Sequence, residues 1–350
     1  MLAPVTHILP LTSVVRERVL PMPGSVLVRI GQKVAPGDAI AETTYAREHA
    51  LIDVARLLGL SGDAADKLIK CKKGEKIAKG AVIAVGGGLF GNELTAPIDG
   101  RVVAVGGGQV LLERGEASIE LKAGLAGVVT EVINDRGAVV RATGALIQGV
   151  WGNGRLDYGL MLNLAEKPDH VLSAMQLDVS LRGSVILAGH CDDAATLQAA
   201  AELPVRGLIL ASLAPSVVAT AAQMRYPIIV TEGFGRRAMN ATAYKLLSTN
   251  IKREAALNAE MDRTAGTRPE IVIALPISQE PPEPRDVETF APGQAVRLRR
   301  EPQAGAVGTL TGIKSNLVAM PSGIRVTAGD VRLENGETIT VPLVNLEVLG

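Results

Sequence analysis

The side chains best suited to chemistry follow three short apolar runs in the second half of the chain. Gly189-His190-Cys191-Asp192 follows Val185-Ile-Leu-Ala188, Ser212 follows Leu208-Ile-Leu-Ala211, and Thr231-Glu232-Gly233-Phe234-Gly235 closes the run that begins at Ile228. His190, Cys191 and Glu232 have the residue types of a base, a nucleophile and an acid. A plainer reading makes Gly189 and Gly233 strand-to-helix turns, Asp192 the cap of the next helix, and Cys191 a small semi-buried residue. Small-ligand binding by Gly189, His190, Ser212, Thr231, Glu232 and Gly233 fits the pattern better than catalysis. The turn Gly233 to Arg237 opens a helical stretch and could hold an anion.

Other catalytic signatures are missing. GxxxxGK[ST], HExxH and GxSxG do not occur, and no GxGxxG opens a helical pattern. His7, His49, His170 and His190 do not cluster, and Cys71 and Cys191 stand far apart without a CxxC. Neither a metal site, a cofactor nor a disulfide framework is expected.

The elements that must position these residues are buried strands alternating with helices. The three runs, and Ile271-Val-Ile-Ala-Leu275 as a fourth, suit central parallel strands. Helical patterns over 192–203, 215–224 and 238–248 separate them, which predicts βαβ units and a small doubly wound, Rossmann- or flavodoxin-like domain over 170–278. Ligands in such sheets bind outside the carboxyl ends of the strands, where the residues above fall.

Composition limits the partners. Lys+Arg and Asp+Glu are 36 each, so no global field favours nucleic acid or an acidic membrane. Aromatics are only 2%, which leaves few platforms for stacking single-stranded bases. The segment 1–15 has no basic n-region and carries Pro4 and Pro10, unlike a signal peptide. The longest apolar stretch, 207–224, is broken by Ser212, Pro215 and Ser216. A cytoplasmic protein without a membrane partner is the expectation.

The N-terminal part is repetitive. Gly31-Gln-Lys-Val-Ala-Pro-Gly37-Asp-Ala-Ile-Ala41 recurs as Gly74-Glu-Lys-Ile-Ala-Lys-Gly80-Ala-Val-Ile-Ala84, identical at six of eleven positions. Gly-x-Val-x-x-Val appears at Gly100–Val105 and Gly127–Val132, and a GxxV-type copy follows from Gly137 to Ile147. With Pro23-Gly24-Ser-Val26, this pattern resembles the barrel-sandwich hybrid of biotinyl and lipoyl domains over about residues 20–150. The resemblance implies a small β-fold. It would place a modifiable lysine after each GxxIA strand, but the copies continue Glu42-Thr-Thr-Tyr45 and Val85-Gly-Gly-Gly-Leu-Phe90. The carrier function of that family is therefore not expected, and the β-region, 1–45 and 70–155, reads as scaffold.

A helical insertion is expected over 46–69. Leu51, Val54, Ala55 and Leu58 have helical spacing closed by Gly59, and Ser61 caps a second helix to about Ile69. Lys67, Lys70, Lys72, Lys73, Lys76 and Lys79 follow and read as a solvated helix end. Gly86-Gly-Gly88 and Gly106-Gly-Gly108 read as hairpin turns, because no helical pattern follows either.

A proline-rich linker, Glu280-Pro-Pro-Glu-Pro-Arg285 within 279–287, precedes the last segment. Phe290-Ala-Pro-Gly293-Gln-Ala-Val296-Arg-Leu298, leading through Gly305 to Val307-Gly308-Thr-Leu310, resembles a KOW motif. The resemblance implies an SH3-like barrel over 288–350, with Asn335-Gly336 as a type I′ hairpin turn. KOW domains occur in ribosomal proteins and NusG-type elongation factors, so RNA or its machinery is an implied partner. Arg297, Arg299 and Arg300 are the nucleic-acid candidates, with Arg297 and Arg299 on one face by alternation. Residues 285–350 hold seven Lys/Arg and seven Asp/Glu, so counterion release would be modest. The sequence thus describes a multidomain β plus α/β chain, read as a non-enzymatic adaptor with a protein partner. The alternatives are a transcription- or translation-associated factor acting through the KOW segment, and a small-ligand sensor or enzyme using the α/β crevice.

Overall fold

The structure, a computed structural model, describes residues 1–86, 92–262, 264, 266–275, 281–285 and 287–350, with the side chain of Arg47 set aside. The chain is mostly β-sheet with few helices. It forms two compact units: Met1–Val19 with Val28–Ile40 and Lys122–Gly350, and Leu20–Leu27 with Ala41–Leu121.

The larger unit contains the α/β layer. Strands Leu156–Asn163, Ser184–Leu187, Gly207–Leu213 and Ile228–Phe234 run parallel in sequence order. Alternate residues of these strands enter different cores, as required of strands covered on both faces. Ile186, Leu208, Leu210 and Ile228 pack with Leu197 of helix Ala194–Glu202 and Ala221 of helix Val218–Gln223. Val185, Leu187, Ile209 and Ile229 pack with Ala243 and Leu247 of helix Ala241–Thr249.

The fourth run of the sequence reading, Glu270–Ala274, is a strand but not a parallel one. It lies antiparallel to Glu254–Asn258 and to Gly137–Gln148. Gly137–Gln148 also pairs along its length with Ile8–Val19. The parallel layer therefore continues into long antiparallel strands drawn from the repeat region, within one sheet.

A seven-stranded sheet forms the C-terminal part, around Val296, Leu298, Leu310, Val331, Leu346 and Val348. Residues Leu2–Thr6, placed by the sequence reading in the N-terminal β-region 1–45, lie instead in this sheet. They pair antiparallel with Val287–Thr289 and parallel with Leu346–Leu349. The turn at Asn335-Gly336 differs from the expected type I′, which needs positive φ at both central residues. Only Gly336 has it, at φ 88°, and Leu333 N–H bonds to the Glu337 carbonyl at 2.8 Å, so the hairpin has a longer, glycine-ended loop. Of the linker, 281–285 has no regular structure, and the Pro282 carbonyl accepts from Thr12 Oγ1 at 2.8 Å; Glu280 lies outside the described residues.

In the smaller unit, Ile52, Ile83, Val102, Val110 and Leu112 build a core under the five-stranded sheet. Helix Val54–Leu58 ends on Gly59 at φ 65°, in the left-handed conformation that glycine tolerates. Leu51 instead belongs to the strand Ala39–Asp53, and the second helix is short, Gly62–Asp66. The six lysines that follow are exposed. Gly106-Gly-Gly108 is a hairpin turn whose amides at 107 and 108 donate to the Asp66 carboxylate at 3.0 and 2.7 Å. Gly87 and Gly88 lie outside the described residues.

The repeat is a repeat in three dimensions. Gly31 N–H bonds to Val129 O at 2.8 Å, and Gly74 N–H to Val102 O at 2.7 Å. Val129 and Val102 return bonds to Gln32 and Glu75, both at 2.9 Å. Gln32 and Glu75 side chains each accept from the backbone three residues earlier, at Arg29 and Lys72. Each GxxVxxG turn thus docks on its own Gly-x-Val strand through the same bonds.

Candidate functional site

Three residues singled out in the sequence stand in register at the carboxyl ends of the parallel strands: His190 opposite Ser212, and Ser212 opposite Gly233. Gly189 stands beside them for a packing reason. A Cβ there would lie 1.9 Å from the His170 carbonyl oxygen, and His190 N–H bonds to that oxygen at 2.6 Å. Gly233 has φ +113°, which lets the strand end turn where another residue would be strained.

Ser212 is fully buried, and its hydroxyl is committed. Oγ donates to Arg237 O at 2.8 Å, accepts from Arg237 N–H at 3.0 Å, and lies 2.8 Å from His190 Nδ1. A hydroxyl has one proton. With that proton on the Arg237 carbonyl, His190 Nδ1 must be the donor to Oγ, so the histidine is not placed as a base toward this serine. Burial lowers the His190 pKa, with Asp192 opposing, which favours the neutral ring. Burial pushes the Cys191 thiol up to about 11, far from the thiolate that nucleophilic chemistry needs. The helix cap is Asp193 rather than Asp192: its carboxylate accepts from Ala195 and Thr196 N–H at 3.0 and 3.2 Å. The Gly233–Arg237 turn is likewise spent internally, on Leu213 O through Gly235 N–H and on Ser212 through Arg237. Thr231 is buried, its hydroxyl donating to Leu210 O at 3.3 Å.

Glu232 reaches further. Its Oε1 accepts from Asn240 N–H at 3.0 Å, and its Oε2 is 2.8 Å from Arg297 Nη1. Arg297 enters from the strand Ala295–Leu298 of the C-terminal sheet and also donates through Nε to Glu347 Oε1 at 2.6 Å. Arg297 and Glu347 are direct cross-strand neighbours. The three side chains are 4%, 3% and 7% exposed. Thr6 Oγ1 donates to Glu347 Oε2 at 3.0 Å, and Arg268 Nη1 donates to Thr6 Oγ1. Burial acts to raise the Glu347 pKa, but Arg297, Thr6 and Arg268 outweigh it and hold the carboxyl below its ordinary value. Burial likewise acts to lower the Arg297 pKa, and Glu347 and Glu232 outweigh it and keep the guanidinium charged.

The arginine triplet therefore divides. Arg297 is inside, filling the crevice at the strand ends, whereas Arg299 and Arg300 are exposed. Sequence reasoning missed Thr6, Arg268 and Glu347. The one available signal was a charged residue between Leu346 and Val348 in a strand whose alternate positions are core.

Among the described residues, no group of three or more His, Cys, Asp or Glu side chains is placed to hold a metal ion, and no helix is long and apolar enough to cross a membrane. No protein-family model matches the chain, and no curated protein matches it in sequence.

Proposed function

We propose that this chain is a non-enzymatic binding or adaptor protein that contacts a protein partner through its C-terminal barrel. In this reading the barrel-sandwich-like modules are scaffold without a carrier lysine, and the flavodoxin-like layer supports a KOW-like, SH3-type barrel. The observation that carries it is the insertion of Arg297 onto Glu232. The edge where an open α/β sheet would hold a ligand is occupied by the protein's own arginine.

The same barrel carries exposed apolar side chains. Its hairpin of Val318–Ala319 and Arg325–Val326 is flanked by Leu317 and Ile324, 53% and 62% exposed. Large apolar side chains grouped on an exposed hairpin suit burial against another protein. The test is affinity capture from native lysate with the full chain and with the double variant Leu317→Asp/Ile324→Asp. Partners retained by the wild type and lost from the variant support the reading, and identical sets overturn it.

A second reading, RNA contact through the same barrel, rests on the exposure of Arg299 and Arg300. It expects salt-dependent binding of single-stranded RNA that Arg299→Glu/Arg300→Glu removes. A flat titration at low salt excludes it.

A further inference from the structure

Across the large sheet, four residues stand directly opposite one another on successive strands: Gln148, Glu270, Asn258 and Leu156. This row lines a cavity of about 590 Å³, whose walls include Arg16, Arg18, Gly124 and Arg268. Glu270 is neutralised there, because both its oxygens accept from Arg16, Oε1 from Nε at 2.7 Å and Oε2 from Nη2.

The two amides are oriented by backbone donors. Gln148 Oε1 accepts from His7 N–H at 3.1 Å, and Asn258 Oδ1 accepts from Glu260 N–H at 3.0 Å. A backbone N–H can only donate, so each amide must turn its oxygen to it and keep its NH₂ group in reserve. Among the described residues neither NH₂ group has a protein acceptor. Among the described residues, Arg18 uses only Nε, on the Lys122 carbonyl at 3.3 Å. Arg268 donates through Nη1 to Thr6 and pairs with Glu347, Nη1 to Oε2 3.8 Å, and among the described residues its Nε and Nη2 make no hydrogen bond. Four side chains thus bring hydrogen-bond donors to one cavity, and among the described residues the two NH₂ groups and the remaining guanidinium N–H groups have no hydrogen-bond acceptor. Burial, with Arg297 and Arg299 nearby, also lowers the Arg268 pKa despite Glu347, so added negative charge would be favourable there. Glu17 and Glu260 also line the cavity and are exposed, and would repel a large polyanion.

We propose that this cavity binds a small acceptor-rich anion, a carboxylate or a phosphate, through the NH₂ groups of Gln148 and Asn258 and the guanidinium groups of Arg18 and Arg268. Charge-assisted bonds of this kind are the strong ones, and a planar guanidinium matches either oxyanion in a forked geometry. The site lies on the sheet and stands apart from the barrel surface proposed above, so the two can fail separately.

The experiment is thermal unfolding of the full chain in sodium phosphate or sodium succinate, against sodium chloride at matched pH and ionic strength, followed by calorimetric titration. A ligand that binds only the folded state raises the midpoint in a saturable way. A rise with phosphate alone, or with succinate alone, identifies which oxyanion the site takes. Asn258→Asp keeps the acceptor for Glu260 N–H and turns the NH₂ donor into a negative oxygen; it should weaken binding at least about tenfold, or ~1.4 kcal/mol. Arg18→Gln, on a partly exposed side chain, should weaken it similarly without unfolding the protein. The inference is overturned if neither anion acts differently from chloride, or if the rise persists unchanged in both variants.

Discussion

The strand ends of the α/β layer and the cavity on the same sheet are built from the same kinds of side chain, and they end in opposite states. At the strand ends, Glu232 has both oxygens occupied and Ser212 Oγ takes part in three contacts. Arg297 there is left with one buried unmatched nitrogen, Nη2. On the cavity floor, the acceptors are spent on backbone N–H groups or on Arg16, and donors remain. Two carboxylates close round Arg297, whereas Arg18 has no carboxylate partner among the described residues. The lesson is that a motif rich in His, Ser and Glu can be consumed by its own fold, while a scattered set of amides and arginines is left ready for a ligand.

The largest effect should come from breaking the strand-end network. Arg297→Met leaves Glu232 and Glu347 buried without their cation, and loss of one partner of a buried pair costs about 3–5 kcal/mol. Urea unfolding monitored by circular dichroism measures it. Replacing all three, Arg297→Met with Glu232→Leu and Glu347→Leu, should recover most of the loss, because apolar residues of similar volume often substitute for buried ion pairs at little cost. If the triple variant is no more stable than the single one, the network is not the closed unit described here.

Next comes the serine. Ser212→Ala removes the hydroxyl shared by His190 Nδ1 and by the backbone of Arg237, and leaves buried polar groups unmatched. The expected cost is about 1–3 kcal/mol, read from the same denaturant curves. A change below a few tenths would mean that these contacts are dispensable.

Much of this division could be read in the sequence, and the unread part has a physical cause. The parallel strands at 185, 208 and 228 were legible because each is a short apolar run buried on both faces. Their polar ends could be placed at one edge, and His190, Ser212 and Gly233 do meet there. Arg297 was also visible as a residue, but alternation along one strand cannot say which face of that strand another layer covers. The cross-strand partner Glu347 is 50 residues away, and Thr6 lies at the other end of the chain. The repeat was legible down to its turns, because its bonds are local to each GxxVxxG segment and its strand. The cavity was not legible, since Gln148, Asn258, Glu270 and Arg18 come from four strands whose register is set by tertiary pairing.

Acid titration offers a gentler lever on the strand ends. The His190 pKa is lowered from the usual 6.5, chiefly by burial, so the unfolded chain takes up a proton more readily than the folded one. That contribution is complete above pH 6.5 and is lost progressively as pH falls below it. Glu347 is held below its ordinary 4.5 despite burial, by Arg297 first, so its contribution is present above 4.5 and disappears as pH drops through the lowered value. Stability measured against pH should therefore fall in two stages on acidification. His190→Asn should flatten the upper stage and Glu347→Gln the lower one. A variant that leaves its own stage unchanged would show that the assigned group does not set it.

The smallest expected effect lies on the cavity side. Asn258→Leu removes a donor that no described protein group uses, along with one acceptor for the N–H of the exposed Glu260, which water can replace. The strand keeps its pairing on both sides, because Asn258 pairs through its backbone with Leu156 and Glu270. The cost should stay below about 1 kcal/mol, against several for Arg297→Met, although both positions sit on central strands. Denaturation of the two variants side by side checks the contrast. If Asn258→Leu proved as costly as Arg297→Met, its amide would be part of the architecture, and the cavity would belong with the strand ends as a closed polar network.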